Sequence, residues 1–334
     1  MIEIKGVTKK FGSFTAIENL SLKVGNGSVY GLVGYNGAGK TTLLKTIMGI
    51  YKADEGSITV DGVETFDSPD IKKKMFFAPD DLYFEPYSTI NKMAKFYSGY
   101  YPEFSFETLE KLCKVFGLDK DKRINSFSKG MQRQAELILA ISSKPEIILF
   151  DENFDGLDPA KRNLFNKMII EYVAETDSSV IISSHNLHEL TDICDHIGLI
   201  NGKRIVLDCS VDDISASRCK FRLVFADEKT EEDFKDIPYK KFNKDGRIIT
   251  LSMAVDAEEG EEILRKLNPL MIEKFPQTLE EIFLDEMEGS DYDFKEIFGQ
   301  SVPFYLFENL LKKLACSSRR FSSYGICILR LRIC

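Results

Sequence analysis

Gly34-Tyr35-Asn36-Gly37-Ala38-Gly39-Lys40-Thr41 is the stretch on which the reading of this chain turns. It has the form G-x-x-x-x-G-K-[ST], a phosphate-binding loop. Phosphates need several backbone N–H groups pointing inward, and glycines let the chain curl around them without side chains in the way. A helix that starts at the loop adds free N–H groups and the positive end of its dipole. The context agrees. Val29 to Val33 is a short apolar run ahead of the loop. From Thr41 the pattern turns helical, with Leu43, Leu44, Ile47 and Met48 on one side. In such a loop Lys40 would reach the β- and γ-phosphates of a nucleotide, and the hydroxyl of Thr41 would ligate Mg²⁺.

Two further stretches fit the same chemistry. Ile147 to Phe150 is a bare apolar run followed by Asp151 and Glu152. A carboxylate at the end of a strand beside a phosphate loop can hold Mg²⁺, directly or through water, which suits Asp151. Glu152 points differently and suits a general base that polarises an attacking water. Val180 to Ile182 is a second buried-strand pattern, ending in Ser183, Ser184 and His185. A neutral imidazole at His185 could hydrogen-bond a γ-phosphate or the attacking water. His188 and His196 lie nearby, but the Asp, Cys and His residues lack familiar ligand spacing, so a histidine metal site is not expected.

The 334 residues are enough for one large domain and a smaller one. Hydrophobic residues at 43% and charged residues at 29% describe an ordinary globular chain. A net charge of −9 is diffuse and does not make the basic face that nucleic-acid binding needs, so no nucleic acid is expected as a partner. No long apolar run predicts a transmembrane helix, and Met1 to Phe11 has no signal-peptide core. The seven cysteines are scattered and form no CxxC pair, which favours reduced thiols in a cytosolic protein.

Strands are expected around Ile2 and Ile4 and around Leu20, Leu22 and Val24, from their alternation. Residues 85–145 read as mostly helical, and Asn163 to Glu175 as a helix. Ile197 to Ile200 and Arg204 to Leu207 read as strands around an Asn201-Gly202 turn. Strands alternating with helices predict an α/β domain. Near residue 215 the character changes. Phe221, Leu223 and Phe225 alternate, as do Ile249 and Leu251, and helical stretches follow at about 258–267 and 278–288. The expected organisation is an α/β domain over 1–212 that is mostly helical at about 85–145, a small α+β extension over 213–298, and a basic tail over 299–334. The tail reads either as a segment that touches a membrane surface or a partner, or as a poorly ordered end.

Taken in order, these motifs resemble the nucleotide-binding subunits of ABC transporters over roughly residues 1–210. The loop extends to Thr42 in the form that family uses. Phe11 matches the aromatic that stacks on adenine. Phe127-Ser128-Lys129-Gly130-Met131-Gln132 matches the signature, usually LSGGQ, with Phe127 for Leu and Lys129 for Gly. Asp151 and Glu152 match the second acidic motif and the catalytic glutamate, Gly156-Leu157-Asp158 the D-loop, and His185 the switch histidine. Ser128 can cap the helix that runs through Ala135 to Ile141. The resemblance implies an α/β P-loop NTPase fold and ATP and Mg²⁺ as cofactors. It also implies a second such subunit, homo- or heterodimeric, whose Ser128, Lys129 and Gly130 close on the ATP. An integral membrane permease as partner and a place at the inner face of the cell membrane are implied as well.

The family's glutamine ahead of the helical insertion is replaced by Asp80, which would still bind Mg²⁺ or water with a shorter reach. Pro-Thr after the glutamate is replaced by Asn153-Phe154. The extension over 213–298 looks like that of exporter ATPases of the ABC-2 group, by layout rather than by motif. A soluble ABC ATPase acting on ribosomes or DNA is the alternative. The single phosphate loop argues against the first. The gap of about 110 residues between Lys40 and Asp151 argues against the second, because it has no room for long coiled coils.

Overall fold

A computed structural model of the chain describes residues 1–154, 157–211, 218–278 and 281–282. These fall in the first of two compact units, Met1–Gly289; the second, Ser290–Cys334, lies outside the described residues, as do most of the expected helix at 278–288 and the tail.

The apolar runs singled out above become the centre of a six-stranded sheet. Its strands are β3 (Val29–Val33), β6 (Met75–Ala78), β7 (Ile147–Asp151), β8 (Ser179–Ser184), β9 (His196–Asn201) and β10 (Arg204–Ser210). The order is β10-β9-β3-β8-β7-β6, parallel except for the antiparallel edge strand β10. Every residue of β3, β7 and β8 is buried, because both faces of the sheet are covered; strands in that position read as continuous apolar runs rather than alternating ones. Alternate residues still divide between two cores. Ile148, Phe150, Val180 and Ile182 face one, and Ile147, Leu149 and Ile181 the other.

The first core is shared with α3 (Ile90–Tyr97), α4 (Phe106–Phe116), α5 (Lys129–Ser142) and α6 (Pro159–Thr176). The second is closed by a four-stranded antiparallel sheet, order β2-β1-β4-β5. It is built from β1 (Ile2–Phe11), β2 (Phe14–Val24), β4 (Glu55–Val60) and β5 (Val63–Glu64), with α1 (Lys40–Ile47) packed between the sheets. The short helices α2 (Pro69–Lys72) and α7 (His188–Thr191) complete this part.

Two details differ from the pattern-based expectation. The β9–β10 hairpin turns on Gly202 and Lys203, both at positive φ, while Asn201 pairs with Arg204 in the ladder. Helix α6 starts four residues earlier than Asn163, because the Asp158 side chain caps it and Pro159 takes the first helical position.

A third sheet, order β12-β13-β11-β14, is wholly antiparallel. It comprises β11 (Cys219–Val224), β12 (Tyr239–Asp245), β13 (Ile248–Met253) and β14 (Met271–Pro276), with helix α8 (Ala257–Arg265) against it. Phe221, Leu223, Phe234, Leu251 and Leu264 form its own core.

Candidate functional site

The carboxyl ends of β3, β8 and β7 lie side by side, with Val33 opposite Ser184 and Asp151 opposite Ser183. That register brings the phosphate loop, Asp151-Glu152 and His185 to one edge of the sheet. Sheet pairing alone assembles residues more than 100 positions apart.

The loop from Gly34 to Gly39 joins β3 to α1. Tyr35, Asn36 and Gly37 are exposed, Ala38 and Gly39 half-buried, and Gly34 buried. Gly39 has φ +110°, and a Cβ there would lie 2.7 Å from Ile17 Cγ2 and 2.8 Å from the Ala16 carbonyl oxygen. Only glycine fits that conformation and that gap. Helix α1 then opens on Gly39 with no side-chain cap and no acid in its first turn. The orphan N–H groups and the positive dipole end are thus left for an anion. The two other helix starts in the motif set are closed by their own side chains. Ser128 Oγ accepts from the Met131 N–H at 3.3 Å, and Asp158 Oδ1 from the Lys161 N–H at 2.9 Å.

Lys40 is 5% exposed, and its ammonium makes three short contacts. Nζ donates to the Gly34 carbonyl at 2.6 Å and to the Tyr35 carbonyl at 3.2 Å, and lies 2.9 Å from Glu152 Oε1. The other oxygen of Glu152, Oε2, is 2.9 Å from His185 Nδ1 and accepts from the His185 N–H at 3.3 Å. Glu152 thus bridges the phosphate-loop lysine and the histidine. Burial pushes its carboxyl up, but the hydrogen bonds and charges of Lys40 and His185 outweigh that and hold it below the ordinary carboxylate range. Its backbone sits at φ +53°, an uncommon conformation for a residue with a side chain. The Glu152 N–H donates to the carbonyl and to the hydroxyl of Ser183, both at 3.2 Å.

Asp151 is shifted the other way. Burial raises its carboxyl, the Ser183 and Thr41 side chains lower it in part, and the charges of Glu152 and Asp80 raise it further. Ser183 Oγ donates to Asp151 Oδ1 at 2.7 Å, while Oδ2 is buried with no hydrogen-bond partner. A buried carboxylate oxygen without a partner is costly, and a cation would satisfy it. Among the described residues no three His, Cys, Asp or Glu side chains converge as a ready-made metal cage. The donor set of one carboxylate and the adjacent Thr41 hydroxyl suits Mg²⁺, which keeps waters and shares phosphate oxygens rather than taking an all-protein cage.

The remaining candidates lie around this centre. Phe11 ends β1 with its ring 43% exposed, meeting Tyr51 edge-on at 5.2 Å between centroids. Thr42 is half-buried in the first turn of α1. Asp80, two residues past β6, has Oδ1 2.6 Å from Arg133 Nη2; Arg133 Nη1 also donates to the Pro79 carbonyl at 3.2 Å. Ser128, Lys129, Gly130, Asp158 and Lys161 line a separate open cleft of ≈ 520 Å³, which no residue of the phosphate loop joins. Gly156, the first residue of the D-loop match, is outside the described residues.

Several contributing residues carried no motif. Ser183 holds Asp151 and the Glu152 backbone; its position in the Ser183-Ser184-His185 run at a strand end was the available signal. Glu189 accepts from Ser184 Oγ at 2.8 Å and pairs with Arg162 at 3.1 Å behind the histidine. Glu136 accepts from Asn153 Nδ2 at 3.1 Å inside the first core.

Comparison with known proteins agrees with this geometry. The family model described as ABC transporter matches residues 17–155. The ABC transporter ATP-binding protein YtrB of Bacillus subtilis (strain 168) is 28% identical over 289 residues, 86% of this chain and 99% of YtrB. The linearmycin resistance ATP-binding protein LnrL of the same organism is 32% identical over 220 residues, 64% of this chain and 70% of LnrL. A solved structure of an ATP-binding subunit of an ABC transporter superposes with a TM-score of 0.58 at 26% identity, covering 64% of this chain and 91% of that one. The chain belongs to the ATP-binding proteins of ABC transporters, and its α/β core is the P-loop ATPase cassette of that family.

Proposed function

We propose that this chain hydrolyses ATP to power a separate integral membrane permease, in an exporter, and does so as a pair of cassettes. The observation that carries the proposal is the Lys40–Glu152–His185 cluster beside Asp151 at one edge of the sheet. Among the described residues no helix is long and apolar enough to cross a membrane, so the passage itself is assigned to a partner chain. The export direction rests on relatives such as LnrL, which is named for linearmycin resistance.

Each residue then has a physical task. Lys40 and the uncapped start of α1, with Gly34 to Thr42, bind the phosphates. Phe11 offers a flat ring to the adenine. Asp151 and Thr41, with Asp80 nearby, would hold Mg²⁺, which when bound offsets phosphate charge. Glu152 takes a proton from the attacking water, and His185 orients that carboxylate and the γ-phosphate. Without nucleotide, Glu152 is a poor base, because Lys40 and His185 stabilise its charged form. A phosphate that engages Lys40 draws that ammonium away, and the carboxylate becomes more basic where the reaction needs it. Ser128, Lys129, Gly130 and Asp158 line a cleft apart from the loop, which suits their contacting the nucleotide held by a second cassette.

The test is ATP turnover by the full chain, with and without a co-purified polytopic membrane protein. Glu152→Gln should abolish turnover and leave nucleotide binding. Wild-type turnover in that variant would remove Glu152 from its role, and wild-type protein inactive under both conditions would sink the ATPase reading.

A further inference from the structure

Helix α5, capped by Ser128, is bonded to the segments just past the carboxyl ends of two neighbouring parallel strands. One contact is Arg133 to Asp80, two residues past β6. The other is Glu136 to Asn153, two residues past β7. β6 and β7 pair in parallel with Ala78 opposite Phe150, so the two contacts stand at near-equivalent heights on adjacent strands. Residues three apart share a helix face, so Arg133 and Glu136 reach the two strand ends from one side of α5.

The geometry points to Arg133 and Glu136, with Asp80 and Asn153, as positioning residues that tie the catalytic end of β7 to the helix carrying Ser128. This rests on Glu152 acting as the base. Asn153 is its immediate neighbour and is itself 3% exposed. Glu152 occupies a left-handed backbone conformation that its side chain does not favour. On the sheet side that conformation is fixed by the Ser183 carbonyl and hydroxyl. On the helix side the next residue is fixed by Glu136. The carboxylate is therefore set by two anchors, one in the sheet and one in α5. A displacement of α5 pulls on Asn153 and on Asp80 together, and both stand next to site carboxylates, Glu152 and Asp151. Engagement of Ser128 by a second cassette is thereby felt at the base without any residue of α5 touching the reacting atoms. The polar pair also accounts for two departures from the family pattern at once. Asn153 stands where the family has proline and Asp80 where it has glutamine, and both residues are bonded to the same helix.

The experiment uses the full chain and two readouts, ATP turnover and affinity for a non-hydrolysable ATP analogue. Asn153→Ala and Glu136→Leu should each lower turnover on the order of 10- to 100-fold, the usual range when a supporting contact is lost and the reacting group drifts. Analogue affinity should stay within about threefold, because ground-state binding is not the interaction removed. The double variant should be no slower than either single one, since both remove one contact. Glu136→Gln keeps an oxygen for the Asn153 amide and should recover most of the turnover. Wild-type turnover in Asn153→Ala, or additive losses in the double variant, would overturn the proposal. Should Glu136→Leu or Asn153→Ala fail to melt cooperatively, Arg133→Gln carries the same test. Its loss of turnover at unchanged affinity supports the proposal, and wild-type turnover overturns it. Glu152→Gln separates the two levels. If that variant turns over, the base is elsewhere. If it is dead while Asn153→Ala is normal, only the positioning role fails.

Discussion

The Lys40–Glu152 contact makes a quantitative prediction about nucleotide affinity. In the structure the carboxylate that should serve as the base occupies the ammonium that should bind phosphate, at 2.9 Å in a site where the side chains are 5% and 11% exposed. The other two short contacts of that ammonium are loop carbonyls. An arriving phosphate must displace the carboxylate. A hydrogen bond to a charged group contributes about 1.5–3 kcal/mol net. Glu152→Gln keeps an amide oxygen that can still accept, so the gain should fall at the low end, about tenfold tighter binding for about 1.4 kcal/mol. The assay is titration of a non-hydrolysable ATP analogue into dilute variant and wild-type chain, at concentrations where cassettes do not pair. The nucleotide-free variant should also melt lower than wild type, because a buried lysine has lost its counter-ion, and saturating analogue should raise its melting point by more. Equal or weaker affinity in Glu152→Gln would refute the displacement argument, whatever happens to hydrolysis.

Two further outcomes follow from the same geometry. Burial pushes Glu136 up to about 8 against the opposing effects of Arg133 and Asn153, so the folded chain keeps a proton that the unfolded chain releases near pH 4.5. Stability should therefore fall as pH rises from about 4.5 to 8, with a ceiling of about 5 kcal/mol, and Glu136→Gln should flatten that slope in denaturant titrations run across the range. A wild-type slope retained in the variant would place the proton elsewhere. Gly39→Ala should cost more than the usual glycine replacement, about 2–3 kcal/mol, because it combines φ +110° with a Cβ 2.7 Å from Ile17 and 2.8 Å from a backbone oxygen. Analogue affinity should fall with it, and a variant with unchanged melting and affinity would contradict the loop geometry.

Sequence by itself determined the phosphate loop and the strands that flank the site. Glycine spacing and a lysine before a helix have few other uses, and a strand buried on both faces must be apolar throughout, as Val29–Val33 and Ile147–Phe150 are. The cap at Ser128 was legible for a similar reason, since capping is a local interaction, whereas the cap at Asp158 went unread and the helix was expected to start only at Asn163. What stayed hidden is either short or non-local. β6 has four residues at a sheet edge, and β12 is a lysine-rich edge strand whose half-exposed residues show no clean alternation. The partners of Asp80, Asn153 and Glu152 could not be read at all. Arg133, Glu136 and Lys40 are 53, 17 and 112 positions away from them, and such pairs form only when the sheet register and the crossing of α5 bring them within bonding distance. Sequence therefore named the chemistry of the site. Tertiary structure decided that Glu152 is clamped between a lysine and a histidine, because only packing sets which charges share a buried edge.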